Sequence, residues 1–202
     1  VNEERIKERM LEQGVGKIFL NAKLSDFPTE IQKTTKNSFF MHSAVGCGKT
    51  HLLSAIIREY LVCPKEHKHL LLPAKYIMRR VSGIHKRIPP LFISISDFLY
   101  KLKSSFSHET KKSEYDIITE IANCPVLCID DLGNTKVTEW NIQALDSLFN
   151  ARYNNHNELR TYISSNWNLP EIADIFGERI ASRIGGMCKN IKLEGKDKRL
   201  EK

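Results

Sequence analysis

The chain has 202 residues, with 31 Lys and Arg against 24 Asp and Glu for a net charge of +7, and 41% of its residues are apolar and 8% aromatic. These values fit one globular domain with a sizeable core and exclude a collagen-like, low-complexity or wholly disordered polymer. No apolar run approaches the roughly 18 residues of a membrane span, and the charged opening VNEERIKERMLEQG lacks the apolar stretch of a secretory signal, so a cytoplasmic location without membrane contact is expected. The cysteines at 47, 63, 124, 128 and 188 are odd in number and scattered, which predicts reduced thiols rather than a disulfide framework. Cys124 and Cys128 bracket an apolar run and have no second pair or His at zinc-ligand spacing, so no zinc site is expected.

The positive charge is local. Residues 63–90 hold seven basic residues (Lys65, Lys68, Lys75, Arg79, Arg80, Lys86, Arg87) against Glu66, a local +6, and residues 189–202 hold six basic against three acidic, +3, so the rest of the chain sums to −2. A local excess suits a polyanion-binding surface. The alternative is a solvated insertion whose lysines only aid solubility.

In chain order, the spacing predicts a short helix over 2–12 stopped at Gly14, then an irregular lead-in over 17–37 broken at Pro28. Residues 38–42 form a mostly apolar strand that runs through the small-residue loop SAVGCG into KTHLLSAIIREYL, whose Leu52, Leu53, Ile56, Ile57, Tyr60 and Leu61 recur at helical spacing. The basic insertion that follows, about 63–90, is far longer than the usual connection of roughly 2–6 residues. Prolines 64, 73, 89 and 90 segment it, and 75–82 predicts a short basic helix. A second strand is predicted over 91–95, with Asp97 as N-cap of the helix FLYKLKSSF. Then come a helix near 113–123 and a third strand over 126–129 that ends in Asp130-Asp131. A long amphipathic helix over 138–154, a fourth strand over 162–164, short helices over 170–176 and 178–184, and a fifth strand over 189–193 complete the pattern. Strands alternating with helices predict an α/β domain whose open parallel sheet is covered on both faces.

Ser43-Ala44-Val45-Gly46-Cys47-Gly48-Lys49-Thr50 fits the phosphate-loop pattern G-x-x-x-x-G-K-[ST] at every fixed position but the first, where Ser43 replaces Gly. The residue types match the chemistry. Gly46 and Gly48 let the backbone wrap so that N–H groups point at phosphates, and the following helix offers its positive N-terminus. Lys49 can reach the β- and γ-phosphates and the Thr50 hydroxyl can ligate Mg²⁺. The residues expected to contact the nucleotide, ATP or ADP, are 43–50 and the next residue, His51. If the first position needs positive φ, Ser43 is strained there and affinity falls.

Asp130 and Asp131 stand at the C-terminal edge of the third strand, where ligands bind in open α/β sheets. One acidic residue there can hold the Mg²⁺ shell while the next orients the attacking water. Neighbours on a strand point to opposite faces, which gives the two carboxylates different roles: metal to Asp130, water to Asp131. The simpler reading is a pair of Asp capping the turn at Leu132-Gly133.

The run CIDDLGNTKVTEWNIQALDSLFNARYNN, the later SSNWNL and the box FGERIASRI give the chain a likeness to one family. From Gly14 to the GKDKR stretch, it resembles the AAA+ ATPases of the DnaC/DnaI helicase-loader and IstB transposition-helper group. The resemblance implies an AAA+ P-loop NTPase fold with five parallel strands and a C-terminal lid short or absent, residues 38–202 forming the ATPase core and 1–37 an N-terminal helix and lead-in. It implies that Asn166 is the sensor positioning the lytic water, and that Arg183 is an arginine finger acting on a neighbouring subunit's nucleotide, with Arg179 the second candidate. Read without the family, Arg179 and Arg183 are an i, i+4 pair on a solvated helix face with Glu178 nearby. Loaders of the group carry a separate domain that grips the replicative helicase. Residues 1–37 are too few for it, so that part either lies outside these 202 residues or is dispensed with.

The expected activity is ATP hydrolysis coupled to self-assembly on DNA, in a helicase loader first and a transposition helper or target-DNA adaptor second, with a replicative helicase or a transposase as partner. A third reading, from another class, is a non-catalytic, nucleotide-gated scaffold on DNA. DNA, single-stranded or duplex, is expected to meet Lys75, Arg79, Arg80, Lys86 and Arg87 through its phosphates, so binding should weaken steeply with salt. No base-reading motif is visible, and no basic run interleaved with aromatics marks a stacking platform.

Overall fold

The computed structural model describes residues 2–62, 78–81, 84–106 and 112–195. Helix α1 (Glu3–Glu12) is capped by Asn2, whose side chain accepts from the Glu4 N–H. Short 3-10 turns at Lys17–Phe19 and Leu24–Asp26 and helix α2 (Thr29–Thr34) then lead to β1 (Phe39–His42) and α3 (Lys49–Val62). Two short strands, β2 (Met78–Val81) and β3 (Ile84–Arg87), pair with each other, and β4 (Leu91–Ser94) runs into α4 (Ile95–Ser104). After α5 (Glu114–Ala122) come β5 (Val126–Leu132), α6 (Glu139–Asn154), β6 (Arg160–Ser165), α7 (Leu169–Phe176), α8 (Glu178–Met187) and β7 (Lys189–Lys192).

Five strands form one sheet in the order β4-β5-β6-β1-β7, and every neighbouring pair is parallel. Because side chains alternate along a strand, each strand feeds two cores. Phe39, Met41, Val126, Cys128 and Tyr162 face α3 and the lead-in, while Phe40, Leu127, Ile129 and Ile163 face α4 to α8. Burial on both faces is why these strands read as nearly continuous apolar runs. Helix α3 is apolar around most of its circumference for the same reason: α1 and the lead-in cover the side turned away from the sheet. Arg58 ties that cover down, donating to the Leu20 carbonyl (3.0 Å) and the Glu3 carboxylate. The lead-in also reaches the sheet edge, where the Phe92 N–H of β4 donates to Gln13 O (2.9 Å).

Three expectations are corrected. Residues 78–81 form a strand rather than part of a basic helix: β2 and β3 make an antiparallel ladder, with Arg79 opposite Lys86 and Met78 opposite Arg87. The N-cap of α4 is Ser94, not Asp97; Asp97 sits in the first turn and its N–H donates to Ser94 Oγ (3.0 Å). Strand β5 continues through both aspartates to Leu132, with a register shift against β6 between Ile129 and Leu132. Cys47, Cys124, Cys128 and Cys188 are free thiols. Cys124 and Cys128 donate to the backbone carbonyls of Glu120 and Leu53, and burial pushes both thiols up, Cys124 to about 11. Among the described residues no helix is long and apolar enough to cross a membrane.

Candidate nucleotide-binding and hydrolysis site

At the C-terminal end of β1 the chain turns into the glycine loop. Ser43 N–H donates to Ser165 O at the end of β6 (3.3 Å), which fixes where the loop begins. Gly46 (φ +82°) and Gly48 (φ +90°) take the left-handed backbone that side chains resist, and the Leu52 N–H closes the first turn of α3 on Gly48 O (3.0 Å). Lys49 is buried, and its ammonium donates to Ser43 O and Ala44 O, both at 2.8 Å, and to Ser43 Oγ at 3.1 Å. Asp131 is the one non-glycine residue with positive φ among the described residues. Ser43 therefore carries no such strain, so the condition under which it would weaken affinity is not met, and its hydroxyl joins the cradle around the lysine.

Two strands away, β5 delivers the acidic pair. Asp130 is 6% exposed, accepts from the Ser164 hydroxyl of β6, and has the Thr50 hydroxyl of α3 beside it. Burial pushes its carboxyl above the ordinary value; the two hydroxyls oppose that rise and the neighbouring Asp131 charge adds to it. Asp131 lies at the register shift with φ 57°, a left-handed conformation that Asp tolerates better than most residues, and its N–H donates to Ser164 Oγ (3.1 Å). One serine hydroxyl thus bridges both aspartates. The separation of the two carboxylates comes from this irregular backbone and not from plain strand alternation: Asp130 turns to Thr50, and Asp131 lines the cleft.

That cleft has a volume of about 540 Å³. Lys49, Thr50, Asp131, Asn134 and Asn166 line its polar side, and Ile18, Phe19 and Val45 form an apolar wall. Asn166 is exposed, directly after β6. His51 lines the cleft too, but its ring rests against Phe19 and Phe27 and hydrogen-bonds Asp26 (2.7 Å), whose carboxyl this contact holds below its usual range. From the other side, the Cys47 thiol donates to Gly195 O (3.2 Å), so the chain beyond β7 crosses the loop. Sequence reasoning does not single out Ser164, Asn134, Ile18 or Phe19. A serine in a strand and an apolar residue in a lead-in carry no local mark of a site; only the serine pair before Asn166 hints at one.

The arginines of α8 stand apart from this cleft. Both meet Asp146 of α6: Arg183 through Nη1, and Arg179 through Nε at 3.3 Å. Of the basic residues expected to meet nucleic acid, Arg79, Arg80, Lys86 and Arg87 lie on the β2–β3 ladder, and Lys75 lies outside the described residues.

The donor set suits a magnesium nucleotide. Thr50, Asp130 and Asp131 offer hard oxygens of the kind Mg²⁺ prefers, and the glycine loop with its buried ammonium suits phosphate oxygens. A parallel sheet with its phosphate loop on a central strand and its carboxylates on a strand two places away gives this chain the AAA+ P-loop NTPase fold.

Comparison with solved structures supports this assignment. A DnaC helicase loader superposes with a TM-score of 0.65 at 20% identity over 89% of this chain and 100% of that one. DnaI follows at 0.63 and 19%, over 90% and 96%. AMPPCP-bound DnaA from Aquifex aeolicus gives 0.61 and 20%, over 86% of this chain and 50% of the other. At these identities the likeness defines the fold. Among curated proteins, the uncharacterized protein YqaM of Bacillus subtilis is 29% identical over 166 residues, 80% of this chain and 44% of YqaM. The XkdC protein of the phage-like element PBSX of Bacillus subtilis is 25% identical over 166 residues, 80% of this chain and 51% of XkdC. The chain thus spans about half the length of the curated relatives it matches. No protein-family model matches it.

Proposed function

We propose that the chain is the ATP-hydrolysing core of a DNA-associated AAA+ protein that acts as a helicase loader. The observation that carries the reading is the convergence of Lys49, Thr50, Asp131 and Asn166 on one cleft, with Asp130 behind Thr50. In this reading the loop N–H groups and Lys49 grip the β- and γ-phosphates of ATP, and Thr50 and Asp130 hold Mg²⁺. Bound Mg²⁺ would neutralise phosphate charge as the terminal bond breaks. Asp131 orients the attacking water, and Asn166 stands at the strand end to fix its position. Ile18, Phe19 and Val45 form the apolar wall against which the base rests. A cation from a neighbouring copy, supplied by Arg183 or Arg179, completes the site, so that hydrolysis depends on assembly.

Two features support a nucleic-acid partner. The β2–β3 ladder sets Arg79 opposite Lys86 and Arg80 opposite His85, in the segment of highest positive charge. Later in the chain, Tyr100, Phe106 and Tyr115 are 77%, 62% and 77% exposed in or just beyond α4 and α5. Lys101, Lys103 and Lys112 are their sequence neighbours. Exposed rings among lysines suit stacked bases and a tracked backbone, which favours single strands; linear sequence alone does not mark these rings as a platform. The loader reading is preferred to the transposition helper because the solved structures of this fold include a helicase loader and replication initiators.

Two assays test this. Anisotropy of a labelled single-stranded oligonucleotide across a salt series should show binding that the reversal Arg79→Glu, Arg80→Glu, Lys86→Glu, Arg87→Glu weakens and whose salt slope it flattens, by about 0.7 for each phosphate no longer neutralised. Unchanged affinity and slope contradict the role given to the hairpin. Capture from a lysate should retain a replicative helicase; retention of a transposase instead selects the helper reading.

A further inference from the structure

Strands β5 and β6 bring Asp131, Asn134 and Asn166 to the cleft from their C-terminal ends, where the sheet stops holding the two strands together. The ladder between them shifts register between Ile129 and Leu132, and its last pair is Leu132 with Ser165. A different set of contacts takes over there. The Ser165 hydroxyl donates to Leu132 O (2.6 Å) and accepts the Trp167 N–H (3.0 Å), while the Asn134 N–H closes a turn on Asp131 O (3.1 Å). The Trp167 indole then lies on Gly133: a Cβ on that residue would stand 2.4 Å from the ring's Cδ1 and 3.0 Å from its Nε1. Gly133 also has φ +103°, so its backbone and its neighbour both demand glycine. Beyond the ring, Asn168 caps α7. Its side chain accepts the Glu171 N–H (3.0 Å), and the Glu171 carboxylate accepts its N–H (2.7 Å), so the tryptophan is presented from a backbone pinned on both sides. Asn166 therefore sits between two anchored residues, and Asn134 beside a glycine that the indole covers. Trp167 nevertheless keeps 44% of its surface exposed, so core burial does not account for its place.

We propose that Trp167 is a positioning residue: its indole, laid on Gly133, clamps the 131–134 turn to the 165–168 turn, so that Asp131, Asn134 and Asn166 keep one arrangement around the attacking water. This rests on the reading of the cleft as a hydrolytic site. The need for a clamp is geometric. Asp131 and Asn166 belong to different strands, and a displacement of about 1 Å between groups that must align on a reacting atom costs up to about 100-fold in rate. An unbroken ladder would resist that displacement, but the register shift interrupts it just before the turns. The ring on glycine replaces it with a contact that admits no side chain in between. In the same reading the phosphates are gripped elsewhere, by the glycine loop and Lys49, so the clamp acts on turnover and not on affinity.

The test measures kcat and KM for ATP hydrolysis by the full chain, beside the dissociation constant of a non-hydrolysable ATP analogue. Trp167→Ala should lower kcat about tenfold or more, with KM and the analogue constant within about twofold of the parent's. Trp167→Phe keeps a flat ring over the glycine and should restore most of the loss. Gly133→Ala forces the ring off from the opposite side and should lower kcat as well. Joined to Trp167→Ala, it should cost less than the product of the two separate losses, because the two residues share one contact. Asp131→Asn serves as the control for hydrolysis itself. A rate that Asp131→Asn abolishes and Trp167→Ala leaves within about twofold of the parent overturns the proposal while the hydrolytic reading stands. So do an analogue constant that weakens in step with kcat, which marks a general loosening of the site, and losses that simply multiply in the double variant. A parent without turnover, or with a rate indifferent to Asp131→Asn, brings down the hydrolytic reading and, with it, the role given to Trp167.

Discussion

Ser164→Ala probes the site through a residue that touches no substrate. Ser164 is fully buried, and its hydroxyl donates to Asp130 Oδ1 while accepting the Asp131 N–H at 3.1 Å. The substitution leaves only an oxygen-sized gap, so the effect is polar. A hydrogen bond to a charged acceptor contributes about 1.5–3 kcal/mol, and an N–H left without a partner costs about 1–3 kcal/mol. The first figure alone, if expressed in the transition state, is about a 10- to 150-fold loss of kcat/KM. The pH profile should move as well. Burial already raises the Asp130 carboxyl, and the Ser164 bond opposes that rise; without it the carboxyl keeps its proton to higher pH. In the proposed mechanism the ionised form holds Mg²⁺, so the acid limb of the rate profile should shift upward. The assay is Mg²⁺-dependent ATP hydrolysis over a pH series, beside urea unfolding to register the loss of stability. A variant within twofold of the parent and with the same acid limb refutes the bridging role.

Two further outcomes follow from burial. Arg152 is fully buried and donates to Thr161 Oγ1 (2.9 Å) and to the carbonyls of Ala122 (2.9 Å), Cys124 (2.5 Å) and Arg160 (2.6 Å), and burial lowers its guanidinium to about 10. Arg152→Met strands those acceptors and should cost about 3–5 kcal/mol in urea unfolding, a large share of a stability of about 5–15 kcal/mol; a loss below about 1 kcal/mol contradicts this. Asp130→Asn should abolish the Mg²⁺ response yet raise Tm near neutral pH, by about 2–4 °C per kcal/mol in a chain of this size. The folded-state carboxyl binds its proton more tightly than the unfolded one, so its ionisation draws stability down as pH rises through the raised value. The Asn variant should lack that decline, and a Tm unchanged or lowered at neutral pH speaks against it.

The glycine loop and the acidic strand end are legible in the sequence because each is a contiguous run whose residue types match the chemistry of one kind of ligand. What escapes sequence reasoning depends on contacts between distant segments. Ser164 is an ordinary strand serine until β6 lies beside β5 at the register shift. The hairpin reads as helix when its basic residues are weighed by charge and not by break signals: Ser82-Gly83 stands between the runs that pair. Gly185-Gly186 argues for an end to α8 at 184, yet the helix continues to Met187; a Cβ on Gly186 would lie 2.8 Å from the Tyr153 ring, so the glycine there serves the close approach of α6 and not a helix end. Arg152 reads as a polar residue near a helix end, and its burial becomes visible only when the carbonyls of α5, β6 and the turn between α5 and β5 converge on it.

The most direct measurement is the rate of ATP hydrolysis by the full chain at high protein concentration, with and without single-stranded DNA, for the parent and for Asp131→Asn. The proposed function predicts a measurable rate that DNA raises and that Asp131→Asn lowers by about 100-fold, with the affinity for a non-hydrolysable ATP analogue retained. A rate indifferent to Asp131→Asn contradicts the hydrolytic role of the cleft, and an analogue that binds tightly without turnover in the parent marks the chain as a nucleotide-gated scaffold instead.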